Sequence, residues 1–267
     1  MKLLKFIFDW TVSALDRIER AIKNAIEKPI AGCIQEEPRK KLLSSVQVEQ
    51  LPDYLFGLDG IIDLDNTHTY DQGRTPHCVC YATLLAIETM AIAKYQDRSI
   101  TFDREYYAAK LREAGIMTDR GAAIYDVMDW FTANGVKDTV GRQYKVGEQE
   151  LLPKSEIFNV LSKGYPIVTG AFWGYPYYDK NFIFLPRTLS TGGGHCTLLN
   201  KGYDIDKCIF PDGTRNIQRI VDTETSWSDR FGIKKKNSPL GTCRLHVLET
   251  DLPRFFTCHI FTSVERV

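Results

Sequence analysis

The spacing of apolar side chains divides the chain into a helical part and a β part. Leu4, Phe8, Leu15, Ile18, Ile22 and Ile26 recur at helical spacing with Lys, Arg, Asp and Glu between them, so residues 1–29 read as an amphipathic helix that ends at Pro29. A charged, loop-like segment from Gln35 to Lys41 follows. The apolar run from Cys78 to about Gln96 suits a long helix. Asp103 to Ala114 reads as another helix with Asp103 as N-cap, Gly121 to Ala133 as a third stopped by Asn134-Gly135, and Ser155 to Lys163 as a short fourth. Beyond it the pattern turns to β: Ile167 to Trp173, Cys196 to Tyr203, Ile217 to Thr223, Thr242 to Glu249 and Phe256 to Thr262, each bounded by Gly, Pro, Asn or Asp. Helices first and strands second imply an α+β protein of two lobes with a site at their seam.

Composition narrows the classes. A chain of 267 residues that is 43% hydrophobic and 12% aromatic can bury one large core or two lobes, which excludes disordered and collagen-like material. With 34 basic and 34 acidic side chains the formal net charge is zero, so no nucleic-acid or membrane-surface partner is expected. No apolar run is expected to cross a bilayer. Lys5 and Asp9 interrupt the apolar region that a secretion signal requires. Seven cysteines, an odd number, fit a cytoplasmic or other reducing compartment better than secretion. Residues 1–62 therefore read as an added N-terminal segment and 63–267 as the main domain.

The candidate chemistry sits where the long helix begins. In Asp71-Gln72-Gly73-Arg74-Thr75-Pro76-His77-Cys78, a Gln lies six residues before a Cys that opens the helix. A thiol there feels the positive end of the helix dipole, which favours the thiolate, and a Gln amide nearby can donate to a developing oxyanion. A base is supplied by His195, which follows Gly192-Gly193-Gly194 and leads a strand-like segment to Gly202-Tyr203. Two further stretches complete the pattern: Arg120-Gly121-Ala122-Ala123 opening a helix to Asn134-Gly135-Val136, and Thr225-Ser226-Trp227-Ser228-Asp229-Arg230-Phe231-Gly232. Together, over roughly residues 63–250, these resemble the papain-like cysteine protease family.

The resemblance implies a helical left lobe, a β-barrel-like right lobe and an active-site cleft between them, with the Cys78 helix buried at the junction. It implies Cys78 as nucleophile, His195 as acid and base, and Gln72 with the Cys78 backbone N–H as oxyanion donors, acting on a peptide or protein substrate without a cofactor. Gly121 and Ala122 would lie along the extended substrate, and Trp227 would shield the His195 hydrogen bond from water. Thr225 stands where the family has an Asn, so its hydroxyl is the expected acceptor for the imidazole. Thr75 replaces a disulfide-forming Cys of many secreted members, and Val79 the usual Trp. The N-terminal segment takes the place of a pro-segment, which implies an autoinhibited zymogen with Leu51-Pro52-Asp53-Tyr54-Leu55-Phe56-Gly57 crossing the cleft. A docking helix for a partner is the alternative.

Other readings compete at particular residues. His77 is either a tolerated surface residue or a second imidazole tuning the thiol. Gly174-Tyr175-Pro176-Tyr177-Tyr178 is either a subsite wall or core stacking. Cys80 and Cys196 read as packing residues, since one residue between Cys78 and Cys80 is not the spacing of a structural zinc site. At the level of function, the alternatives are a catalytically impaired pseudo-protease that binds peptides and a Cys–His amidase or transferase acting on a non-peptide amide.

Overall fold

The computed structural model describes residues 32–34, 61–64, 70–173, 176–185, 194–227, 231–233 and 242–267. The amphipathic helix expected over 1–29, the Gln35–Lys41 segment, the Leu51–Gly57 stretch, Gly174, Tyr175, Gly192 and Gly193 lie outside these residues.

Two short strands, β1 (Cys33–Ile34) and β2 (Ile61–Asp63), precede the helix α1 (Cys78–Tyr95), whose residues are buried from Cys78 through Ala93. A helix apolar on every face organises the core around itself, because each fully buried Leu or Ile contributes roughly 1.5–3 kcal/mol. α1 is also long and apolar enough by length and composition to cross a bilayer, and most of it is buried inside the protein. Its one charged core residue, Glu88, accepts hydrogen bonds from Arg104 Nη2 at 3.1 Å, the Tyr70 hydroxyl at 3.0 Å and the Phe102 N–H at 3.3 Å.

The other helices of this lobe are α2 (Arg104–Glu113) and α3 (Ile124–Asn134). Asp103 caps α2 as expected, its carboxylate accepting from the Tyr106 N–H at 3.0 Å. α3 begins three residues later than the sequence implies. Gly121 has φ +104°, and Ala122–Ala123 form a strand, β3, that pairs in parallel with β1. β4 (Val136–Lys137) and β5 (Gln143–Val146) lead to β6 (Gln149–Leu152) and a short helix, α4 (Ile157–Ser162).

The second lobe is built on β7 (Ile167–Phe172), β8 (Gly194–Tyr203), β9 (Ile220–Glu224), β10 (Arg244–Leu248) and β11 (Cys258–Phe261). They form a sheet in the order β10-β9-β8-β7-β11-β6, and β12 (Val264–Arg266) joins β5 and β4 in a separate sheet. One edge of β8 pairs with β7 over Gly194–Leu199 and with β2 over Lys201–Tyr203, while the other edge pairs with β9. The sheet is open, so the expected barrel does not close. The result is the expected two-lobed α+β architecture, with α1 packed along β8 and β7.

Candidate active site

Cys78 is the first residue of α1, and no side chain caps the preceding turn at His77. Gln72 is held from two sides in the loop before it. The Ser226 hydroxyl donates to Gln72 Oε1, which fixes the amide so that Nε2 donates to the Thr75 carbonyl at 2.7 Å. The Gln72 N–H donates to the Ser226 carbonyl at 2.8 Å, and Asp71 bridges Trp227. The Gln72 loop is thus fastened to the opposite lobe through Ser226 and Trp227. Ser226 was quoted in the sequence pattern only as a neighbour of Trp227; its contact with Gln72 spans 154 residues and left no local signal. His77 is buried rather than a surface residue, with its Nδ1 3.8 Å from Glu105 Oε2. Burial lowers its pKa, opposed by Glu105, so the ring is neutral.

His195, the second residue of β8, is fully buried. Its ring stacks on Trp227 with centroids 4.2 Å apart and an interplanar angle of 24°, and Trp173 meets both rings edge-on at 5.2 and 4.9 Å. Trp227 therefore covers the imidazole, and Trp173 completes the wall. β-pairing of Ala171 with His195 brings Trp173 there, a register that the sequence does not specify. Tyr177 also packs at a tilt against Trp227, centroids 5.2 Å apart, so part of the aromatic Gly174–Tyr178 stretch borders this wall.

The ring nitrogens of His195 have no hydrogen-bond partner among the described residues. This corrects the role expected of Thr225. Its hydroxyl lies 3.1 Å from Cys243 Sγ and its N–H donates to the Cys243 carbonyl at 2.8 Å.

The cleft between Gly121 and β8 contains a piece of the chain itself. Gly32 and Cys33 run along Gly121–Ala122, with the Ala122 N–H donating to the Gly32 carbonyl at 2.9 Å. Four glycines permit this fit. A methyl group on Gly121 would fall 1.6 Å from the Gly32 carbonyl oxygen, one on Gly194 2.2 Å from the Cys33 carbonyl oxygen, one on Gly170 3.1 Å from Cys33 Sγ, and one on Gly32 2.4 Å from the Pro76 carbonyl oxygen. The stretch in the cleft is thus Gly32–Ile34; the Leu51–Gly57 stretch expected there lies outside the described residues.

Burial shifts the protonation equilibria of Cys78 and His195. Burial pushes the Cys78 thiol up to about 12, reinforced by the neighbouring Cys33, while the backbone groups of Cys196, Gly32 and Val79 beside the sulfur pull the other way. Burial alone pushes His195 down to about 3. With the segment in place the site holds a neutral thiol and a neutral imidazole. The expected thiolate–imidazolium pair is absent from this state because desolvation outweighs the helix dipole, an effect of about 1 kcal/mol or less at an exposed terminus. All seven cysteines are buried and unpaired, Cys78 completely.

No protein-family profile and no characterised relative matches the sequence. Solved structures do match the fold. Xylellain, a cysteine protease from Xylella fastidiosa, superposes with a TM-score of 0.61 at 18% identity over 88% of this chain and 97% of its own. The bromelain protease from Ananas comosus, solved with the E64 inhibitor, gives 0.57 at 12% identity over 77% of this chain and 100% of its own. Procathepsin B S9 from Trypanosoma congolense gives 0.58 at 11% identity over 91% of this chain and 88% of its own. The fold is that of the papain-like cysteine proteases.

Proposed function

We propose that this chain is a cysteine endopeptidase held latent by its own N-terminal segment. The observation that carries the reading is the pairing of Gly32–Ile34 with Ala122–Ala123 directly beside Cys78, because a groove that hydrogen-bonds one extended backbone is suited to another. The cysteine-protease neighbours support the chemistry, and the proforms among them, of procathepsin B and of the ragweed allergen Amb a 11, support the latency. Seven unpaired cysteines support a reducing compartment.

Release of the segment re-admits water and a substrate to the site. The Cys78 proton then passes to His195, and the thiolate attacks the peptide carbonyl. The Cys78 N–H, which as a first-turn donor has no partner within its own helix, and the Gln72 amide held by Ser226 receive the oxyanion. His195 protonates the leaving amine and then takes a proton from the water that frees the product. Gly121 and Ala122 guide the substrate backbone as they guide Gly32. The experiment is turnover of an unstructured peptide by the chain after proteolytic cutting within residues 35–60, with Cys78→Ala as control. Activity that Cys78→Ala leaves intact rules out the mechanism, and a cut chain that binds peptide without turnover is a pseudo-protease.

A further inference from the structure

β8 carries the Cys78–His195 cleft at its Gly194 end. Its other end, Tyr203, is roughly 30 Å away at the usual rise of about 3.3 Å per residue, and a second cysteine, histidine and carboxylate meet there. His246 on β10 is the cross-strand partner of Asp222 on β9, with Nδ1 2.6 Å from Asp222 Oδ1. The other ring nitrogen, Nε2, lies 3.8 Å from Cys208 Sγ. The Tyr203 hydroxyl donates to Asp222 Oδ2 at 3.3 Å, and the rings of Tyr203 and Phe210 meet the imidazole edge-on at 6.0 and 5.6 Å.

The array is fixed on every side. Asn216 accepts from the Cys208 N–H at 2.7 Å and donates to the carbonyls of Asp204 and Gln218 at 2.7 and 2.8 Å, pinning the excursion between β8 and β9. The His246 backbone is bonded to Phe182 and Phe184 at 2.9 and 2.7 Å. Cys208 is 4% exposed, and its chain neighbours Lys207 and Ile209 are exposed.

We propose that Cys208 is a second reactive thiol, a site of oxidation by peroxides in which His246 supplies the proton and Asp222 orients the imidazole. The proposal does not rest on the peptidase reading. Acyl transfer is not the chemistry here, because the Cys208 N–H is already committed to Asn216 and gives no main-chain donor for an oxyanion. Oxidation needs none. The sulfur attacks one peroxide oxygen, an S–O bond forms, the O–O bond breaks, and the thiol proton replaces the one that His246 gives up. The thiol is oxidised by two electrons to a sulfenic acid, and the departing hydroxide takes the His246 proton to leave as water. The charge state agrees: burial lowers the His246 pKa, but Asp222 outweighs it and raises the ring to about 10, whereas buried His195 stands at about 3.

The test is the alkylation rate of each cysteine by iodoacetamide, read by peptide mass mapping on the full chain folded and in urea, with a parallel hydrogen peroxide treatment trapped by a dione that captures sulfenic acids. Cys208 should react about ten-fold or more faster than Cys243 and Cys258, react faster folded than unfolded, and be the first sulfenic acid trapped. His246→Gln should remove the folded-state advantage. A Cys208 slower in the folded chain than in urea, as burial alone dictates, overturns the proposal, and this comparison needs only the parent protein if the variant fails to fold.

Discussion

Gly121 and Gly32 meet backbone to backbone: a methyl group on Gly121 would fall 1.6 Å from the Gly32 carbonyl oxygen, and the Gly32 carbonyl accepts the Ala122 N–H at 2.9 Å. No side chain fits between the N-terminal segment and the cleft wall at this point. The segment therefore occupies the Gly121 stretch, with its Cys33 beside the buried Cys78.

The stack on Trp227 keeps His195 neutral. Trp227→Ala opens the ring to water, and its pKa should rise from about 3 toward the ordinary value of about 6.5. Imidazole proton resonances followed from pH 4 to pH 8 should show His195 silent in the parent and titrating in the variant. A parent His195 that titrates near 6.5 contradicts the buried, neutral ring.

Glu88 is the carboxylate on which the helical lobe closes. Glu88→Ala leaves the buried Arg104 guanidinium without its carboxylate and should cost about 3–5 kcal/mol in urea unfolding. Replacing both partners together by Leu and Met should cost far less, since neither charge is then left unpaired. Equal losses in the single and double variants would show that the pair itself stabilises the lobe.

His246 gives stability a pH dependence of definite sign. Its folded pKa of about 10 lies above the unfolded value of about 6.5, so its contribution is complete below pH 6.5 and is lost as pH rises toward 10. His195 has the opposite sign, because its folded value of about 3 makes its contribution complete above 6.5 and lost on acidification. Between pH 7 and pH 9.5 the parent should therefore lose urea resistance more steeply than His246→Gln. Parallel slopes would show that Asp222 does not hold a charged ring.

Much of this was legible in the sequence for identifiable reasons. α1 announced itself through an unbroken apolar run, α2 through the Asp103 cap, and the strands through β-rich stretches between turn residues. Ile217 was assigned to β9 yet is 87% exposed, because the strand starts at Ile220 beyond the turn that Asn216 pins. Gly121 was read as a helix start, although its left-handed φ and the pairing of β3 with β1 delay α3 to Ile124. Cys78, His195, Gln72 and Trp227 stand out as candidates because their local patterns are distinctive. The contacts of Thr225 with Cys243, of Ser226 with Gln72 and of Cys33 with Gly170 depend on chain pairings that no local pattern encodes.

The central claim is that Cys78 is a nucleophile kept out of use by Gly32–Ile34, and Gly32→Ala tests it most directly. A methyl group there would fall 2.4 Å from the Pro76 carbonyl oxygen, so the segment must shift while the proposed catalytic residues remain. The measurement is turnover of a fluorogenic peptide by the full chain, by Gly32→Ala, and by Gly32→Ala combined with Cys78→Ala. The account predicts low turnover in the parent, an increase of about ten-fold or more in Gly32→Ala, equivalent to roughly 1.4 kcal/mol, and none in the double variant. Turnover unchanged by Gly32→Ala, or surviving the loss of Cys78, would contradict it.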